Sequence, residues 1–202
     1  MSIYSLKPKF QNLLRPLTQY LFESGVTANQ VTLFACMISV LLGLGLYALQ
    51  SASPLFILMP IWMLVRMALN AIDGMLARDF KQKSRLGAYL NEVTDVVSDA
   101  VLYLPFIWIS PFSTIQITLV IWLSAISEMV GILGQVIGKT RRYDGPMGKS
   151  DRAFVFGLLG LLVGTTNILT QHRTIFYDLM WFVIILIIGT IIRRIHAGLQ
   201  EV

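Results

Sequence analysis

Thiol and imidazole are nearly absent from this chain of 202 residues, which has one cysteine and two histidines. A lone Cys36 inside an apolar run excludes an intrachain disulfide, a CxxC redox pair and a cysteine-rich zinc site. His172 and His196 stand apart near the ends of apolar segments and form no metal set. Charge is scarce too: 13% of residues carry it, against about 25% in a soluble domain. That deficit comes with 55% hydrophobic residues, a mean hydropathy of +0.70 and long uninterrupted apolar runs, which points to an integral membrane protein. The N-terminal "MSIYSLKPKFQNLLRPL" has no continuous apolar stretch before a small-residue cleavage site, so no removable signal peptide is expected. Nor is a nucleic-acid partner.

What is present is a set of apolar segments. A spanning helix needs about 20 mostly apolar residues. Six stretches meet this, at 30–49, 55–78, 86–109, 114–137, 153–170 and 175–193. The expected fold is therefore all-α, a polytopic membrane protein with six transmembrane helices forming a single domain over 1–202. Lys7, Lys9, Arg15, Arg78, Lys81, Lys83, Arg85, Lys139, Arg141, Arg142, Lys149, Arg152, Arg193 and Arg194 fall on one side of these segments, and Arg173 alone on the other. The positive-inside rule puts both termini and the charged face in the cytoplasm, with the chain in a bacterial inner membrane. Ahead of the first span, Leu6, Phe10, Leu13, Leu14, Leu17 and Leu21 recur at three- and four-residue steps, with Lys7, Lys9, Gln11 and Arg15 between them. Residues 4–24 thus read as an amphipathic interfacial helix on anionic lipid; the plainer reading is a segment packed on the bundle.

Ionisable groups inside a span are costly unless paired, solvated or metal-bound. Asn70 and Asp73 share one face of the second segment, and Asn91, Asp95 and Asp99 share a face of the third. Gly74, Ala77 and Gly87 beside them leave room for helix contact or for a ligand. An all-oxygen set suits hard cations such as Mg²⁺ or Mn²⁺, which commonly bind through one or two carboxylates plus phosphate oxygens. The alternative is a structural network in which these acids pair with Arg66, Arg78 and Arg85.

This stretch resembles the signature of the CDP-alcohol phosphatidyltransferases, D-x-x-D-G-x-x-A-R-x8-G-x-x-x-D-x-x-x-D. The chain has Asn70-x-x-Asp73-Gly74-x-x-Ala77-Arg78, eight residues, then Gly87-x-x-x-Asn91-x-x-x-Asp95. Spacing agrees throughout, and the departures are Asn70 and Asn91. The resemblance implies two divalent ions, Mg²⁺ or Mn²⁺, at Asp73, Asp95, Asn70 and Asn91, holding the pyrophosphate of a CDP-linked lipid. It implies that Asp95 is the base that deprotonates the acceptor hydroxyl. Gly74, Ala77, Arg78 and Gly87 would line the nucleotide. In "TANQVTL", Asn29 and Thr32 match the family's P-N-x-x-T element, with Ala28 in place of its proline, and would contact cytidine. The two amides make the site two charges less negative; Asp99 is the acid in register to compensate, while Glu92 lies about 100° around the helix.

The reaction so implied is transfer of the phosphatidyl group of CDP-diacylglycerol to a hydroxyl of a small polar alcohol, with CMP leaving. "GKTRRYDGPMGKSDRAF" resembles the family's G-K-x-x-T region, and Lys149, Arg152 and Arg142 would hold an acceptor phosphate. Ordinary positive-inside topology also accounts for these cations. Glu128, inside the fourth span, is expected to form a structural pair with Arg66. A homodimer is implied by resemblance. Three other readings stay open: a soluble CDP-alcohol with diacylglycerol as acceptor, a catalytically silent homologue, and a transporter. The last would call for inverted repeats that the chain does not show.

Overall fold

Thr27 starts the first long apolar helix with a reciprocal cap: its hydroxyl accepts the Gln30 N–H (3.3 Å), and the Gln30 side chain accepts the Thr27 N–H (2.8 Å). Ser113 repeats the device with Gln116 at the start of a later helix, and Ser84 caps another with its hydroxyl alone. The structure, a computed structural model, describes residues 6–138 and 140–200, with side chains from 10 onward. Its helices are α1 (Leu6–Glu23), α2 (Ala28–Ala48), α3 (Leu58–Asp79), α4 (Arg85–Tyr103), α5 (Thr114–Ile137), α6 (Lys149–Thr165), the single turn α7 (Ile168–Gln171) and α8 (Arg173–Leu199). Short 3₁₀ turns, Pro54–Ile57 and Leu104–Trp108, precede α3 and extend α4. No strand occurs among the described residues.

Helices stand where each of the six spans is expected, but among the described residues four segments are long and apolar enough to cross a membrane on those grounds: Ala28–Ala48, Pro54–Asp79, Thr114–Ile137 and Arg173–Leu199. The remaining two fall short for physical reasons. α4 carries Arg85, Glu92, Asp95 and Asp99, and α6 has 17 residues that begin with Lys149, Asp151 and Arg152.

α2 packs against α3 and α4, α3 against α6, and α5 against α8. Small residues set the closest approaches, as in helix packing within lipid. A Cβ on Gly43 would overlap the Val101 carbonyl oxygen of α4, and one on Gly160 would come within 2.6 Å of Met59 Cβ. The larger apolar core centres on Phe56, Tyr103, Phe106 and Phe156, with Tyr103 stacked on Phe156 at 4.0 Å. A smaller one joins Val31, Ile72, Met75 and Leu76.

α1 splits the apolar set read from its sequence. Leu14 and Leu21 pack on the smaller core, whereas Leu13 is 75% exposed and Leu17 and Tyr20 also face outward. An Arg15–Asp79 ion pair (3.3 Å) ties α1 to the end of α3. The side chains of Leu6, Lys7 and Lys9, and residues 4 and 5, lie outside the described set, as does Lys139.

Candidate active site

Three chain segments meet at the charged end of the bundle: the start of α2, the end of α3 and the first turns of α4. Their junction is hydrogen-bonded. The Ala28 N–H donates to Gln82 Oε1 (2.7 Å) in the turn between α3 and α4. Ser84 Oγ caps α4 by accepting the Gly87 N–H (2.9 Å). A Cβ on Gly87 would stand 2.7 Å from Asn29 Oδ1 and 2.9 Å from Ser84 Oγ, so this glycine lets α2 reach the first turn of α4. Further in, the Thr32 hydroxyl donates to Asp73 Oδ2 (2.7 Å), with the Ala28 carbonyl at 3.0 Å.

These segments, with Ile132 and Gln135 of α5, line an open cavity of about 760 Å³. Asn29, Thr32, Asp73, Gly74, Ala77, Arg78, Gly87 and Asn91 all line it, together with Gln82, Lys83 and Glu92. Every position singled out for CDP is thus on one wall system. Gly74 borders open space: a Cβ there would find nothing nearer than Arg78 Nη2 at 3.9 Å. Gln82 and Lys83 were not singled out from the sequence, since a polar turn carries no periodicity to mark which side chains turn inward.

Asp95 is held beside the cavity by donors. Its Oδ1 accepts from Arg66 Nη2 (3.3 Å) and from Asn70 Nδ2 (3.3 Å), and its Oδ2 is ion-paired with Lys149. Among the described residues no three Asp, Glu, His or Cys side chains converge as a metal set. The oxygen donors facing the cavity, Asp73 and Asn91, fit one hard cation completed by substrate oxygens. They do not extend to a second ion at Asp95, whose carboxylate is already engaged by an ammonium, a guanidinium and an amide.

Behind Asp95 lies a buried ionic network. Arg66 donates to Asp99 Oδ1 (2.6 Å), and Arg152 approaches Asp99 Oδ2 (3.4 Å) and Glu128 Oε1 (2.9 Å). Glu128 also takes Arg141 (3.2 Å) and Arg194 (3.4 Å), while Arg141 reaches Glu92 and Arg142 reaches Asp144 (2.9 Å). Burial lowers the Arg141 guanidinium pKa from its ordinary value.

Three expectations change here. The Glu128–Arg66 pairing is not formed: Arg66 is spent on Asp95 and Asp99, and the loop after α5 together with α6 and α8 brings three other arginines to Glu128. Asp99 lies against two guanidinium groups, away from the cavity wall, and so adds no anion there. Arg152 has 0% exposure and turns into the network, so of the expected acceptor-binding cations Lys149 is the one standing at Asp95. Arg194 reads from the sequence as a topology cation and Arg141 as part of the basic loop facing the acceptor, and an intramembrane Glu128 is the signal that such partners are needed.

Known proteins provide the remaining observations. The sequence profile of the CDP-alcohol phosphatidyltransferases matches residues 25–192. The Inner membrane protein YnbA of Escherichia coli K12 is 44% identical over 200 residues, spanning 98% of this chain and 97% of that protein. The archaetidylinositol phosphate synthase of Pyrococcus horikoshii is 34% identical over 95 residues, 47% of this chain and 48% of that one. In fold, the chain superposes with a TM-score of 0.74 on the Mycobacterium tuberculosis phosphatidylinositol phosphate synthase (PgsA1), solved with manganese and citrate. That match has 17% identity and covers 92% of this chain and 88% of that one.

Proposed function

This chain belongs to the CDP-alcohol phosphatidyltransferase family, and on that premise we propose that it transfers the phosphatidyl group of CDP-diacylglycerol to a hydroxyl of a small polar acceptor, releasing CMP. The observation that carries this reading is the cavity in which Asn29, Thr32, Asp73, Gly74, Arg78 and Gly87 come together. Its size suits a nucleotide headgroup, and the small residues leave backbone surface for close approach. Arg78 and Lys83 supply positive charge for the diphosphate.

Asp73 and Asn91 would hold a divalent ion, Mg²⁺ or Mn²⁺; the manganese in the PgsA1 structure supports this class of cofactor. When bound, the ion supplies charge neutralisation at the diphosphate. Asp95 receives the proton of the acceptor hydroxyl as the new oxygen–phosphorus bond forms and the bond to the CMP oxygen breaks. Arg66 and Asn70 fix the Asp95 carboxylate, and Lys149 brings the loop before α6 to the same place. Thr32 orients Asp73.

The reading places one domain in a bacterial inner membrane as a homodimer, with α2 through α6 and α8 as six spans. α4 crosses by borrowing the 3₁₀ turn Leu104–Trp108, which adds apolar length to its charged half. The cation asymmetry puts the cavity on the cytoplasmic side. α1 lies at the interface with Leu13, Leu17 and Tyr20 toward lipid.

The test is CMP release from CDP-diacylglycerol by purified protein with Mn²⁺ and a panel of alcohols, beside a soluble CDP-alcohol with diacylglycerol. Metal-dependent CMP release is expected, and Asp95→Asn should lower turnover by about 10²-fold or more, the size of a general-base contribution. Undiminished turnover in Asp95→Asn would refute the base assignment.

A further inference from the structure

We infer that this chain holds one divalent ion rather than two, and that the Lys149 ammonium stands in the second ion's place as a fixed cation at Asp95. The inference rests on the metal site proposed above and concerns how many ions that site takes.

The four signature positions divide in space. Asp73 and Asn91 line the cavity, whereas Asn70 and Asp95 do not. Paired ions sit about 4 Å apart and need oxygen ligands that reach both. Here Asn70 turns its N–H toward Asp95 Oδ1 (3.3 Å), so it serves that carboxylate as a donor and not as a ligand beside it. The opposite amide orientation would set two acceptor oxygens against each other. Arg66 Nη2 donates to the same oxygen (3.3 Å), and Lys149 Nζ is paired with Oδ2. Three N–H donors, two of them cationic, thus occupy the carboxylate at which a second ion would bind.

Lys149 is carried on fixed backbone. It is the first residue of α6, and the turn ahead of it is pinned. The Met147 N–H donates to Thr190 Oγ1 of α8 (2.9 Å), and the Gly148 N–H donates to Asp151 Oδ2 (2.9 Å). Gly145, at φ +120°, packs so closely on Thr190 that a Cβ would stand 2.5 Å from Thr190 Cγ2. Arg152, one turn into α6, is fully buried.

Charge balance separates a built-in cation from an ordinary loop lysine. Among the described residues, Arg66, Arg141, Arg152 and Arg194 are matched by Glu92, Asp95, Asp99 and Glu128 in one connected set of ion pairs. Asp95 is needed for that balance, and Lys149 takes the set one charge positive. A divalent ion added at Asp95 would leave it three charges positive, or two were Lys149 to withdraw. Such an excess is costly among groups removed from water. Lys149 supplies positive charge at the same carboxylate without it. Asn70 and Asn91 are the complementary change: with fewer anions, the site balances fewer added cations.

Manganese binding tests this without turnover. Purified protein is dialysed against Mn²⁺, with and without CDP on both sides of the membrane; bound ions are counted per chain and examined by electron paramagnetic resonance. The wild type should bind one, with the resolved hyperfine pattern of an isolated ion. Asn91→Asp should still bind one. Asn91→Asp with Lys149→Met should take up a second ion, close enough to the first to couple with it and broaden the spectrum. That double variant gains a carboxylate and loses a cation, so a second ion leaves it no more positive than Lys149 leaves the wild type. Asp95 keeps Arg66 and Asn70 in it, so no buried carboxylate is orphaned. Asn91→Asp with Lys149→Arg, which retains the cation, should return to one ion.

Two coupled ions on the wild type or on Asn91→Asp would overturn the inference and leave the transfer reaction standing. So would a single ion on the Asn91→Asp, Lys149→Met protein. One bound ion with no CMP release from CDP-diacylglycerol would refute the reaction and leave the inference intact. No bound Mn²⁺ in any of these proteins would refute the metal site and the inference together.

Discussion

Replacing Glu128 with alanine removes the one carboxylate that three guanidinium groups share. Arg152 would lose a 2.9 Å contact, Arg141 one of 3.2 Å and Arg194 one of 3.4 Å. Two of these arginines are almost wholly buried, so their charge cannot be made up by water. Breaking a buried ion pair from one side costs about 3–5 kcal/mol. Arg152 keeps Asp99 and the Met147 carbonyl, and Arg194 keeps two backbone carbonyls, which places the expected loss near the low end, about 3 kcal/mol. At 1.4 kcal/mol per tenfold, that is a shift of about 10²-fold in the unfolding equilibrium. Denaturant titration of detergent-solubilised protein, followed by tryptophan fluorescence, measures it. A second variant sharpens the test: Glu128→Ala with Arg152→Met removes the most buried orphaned cation, and Asp99 still has Arg66. The double variant should regain half or more of the loss. If Glu128→Ala unfolds within about 1 kcal/mol of wild type, the carboxylate is not the hub of the network.

Two further outcomes follow from the same geometry. Gly43→Val would drive a side chain into the Val101 carbonyl of α4, and overpacking of this kind costs about 1–3 kcal/mol; a lowered unfolding midpoint is expected, against an unchanged one for Gly45→Val, which has open space around it. Asn70→Asp with Asn91→Asp adds two carboxylates, one on α3 and one on α4, and each added charge should tighten Mn²⁺ binding by at least about tenfold, since a carboxylate and a divalent ion about 4 Å apart interact by about 2 kcal/mol even in water. Manganese titration by electron paramagnetic resonance reads this directly, and equal affinity in both proteins would refute it.

The long apolar segments were legible in the sequence because hydropathy over about 20 residues needs no partner to be read. The cavity wall was legible for a different reason. Asp73, Gly74, Ala77 and Arg78 are local on α3, and helical spacing alone puts Asn91 and Asp95 on one face of α4. What sequence could not supply is which long-range groups meet. Glu128 was matched with Arg66 because both sit inside spans, but depth and rotation of α6 and α8 decide the matter in favour of Arg152 and Arg194. The same gap separates Leu13 from Leu14 on α1: adjacent leucines in an amphipathic pattern look equivalent until α3 claims one side.

The ionic core also bears on the order in which the chain can be assembled. Its pairs join residues 24, 33, 53 and 66 positions apart. Glu128 leaves the ribosome ahead of Arg141, Arg152 and Arg194, and Arg66 ahead of Asp95 and Asp99. In each pair one charge is thus made before its partner, and a nascent chain that ends after α5 carries Glu128 with none of the three arginines that pair with it. The final helix is therefore more than a last span: until Arg194 is delivered, the polar interior of the bundle is electrically incomplete.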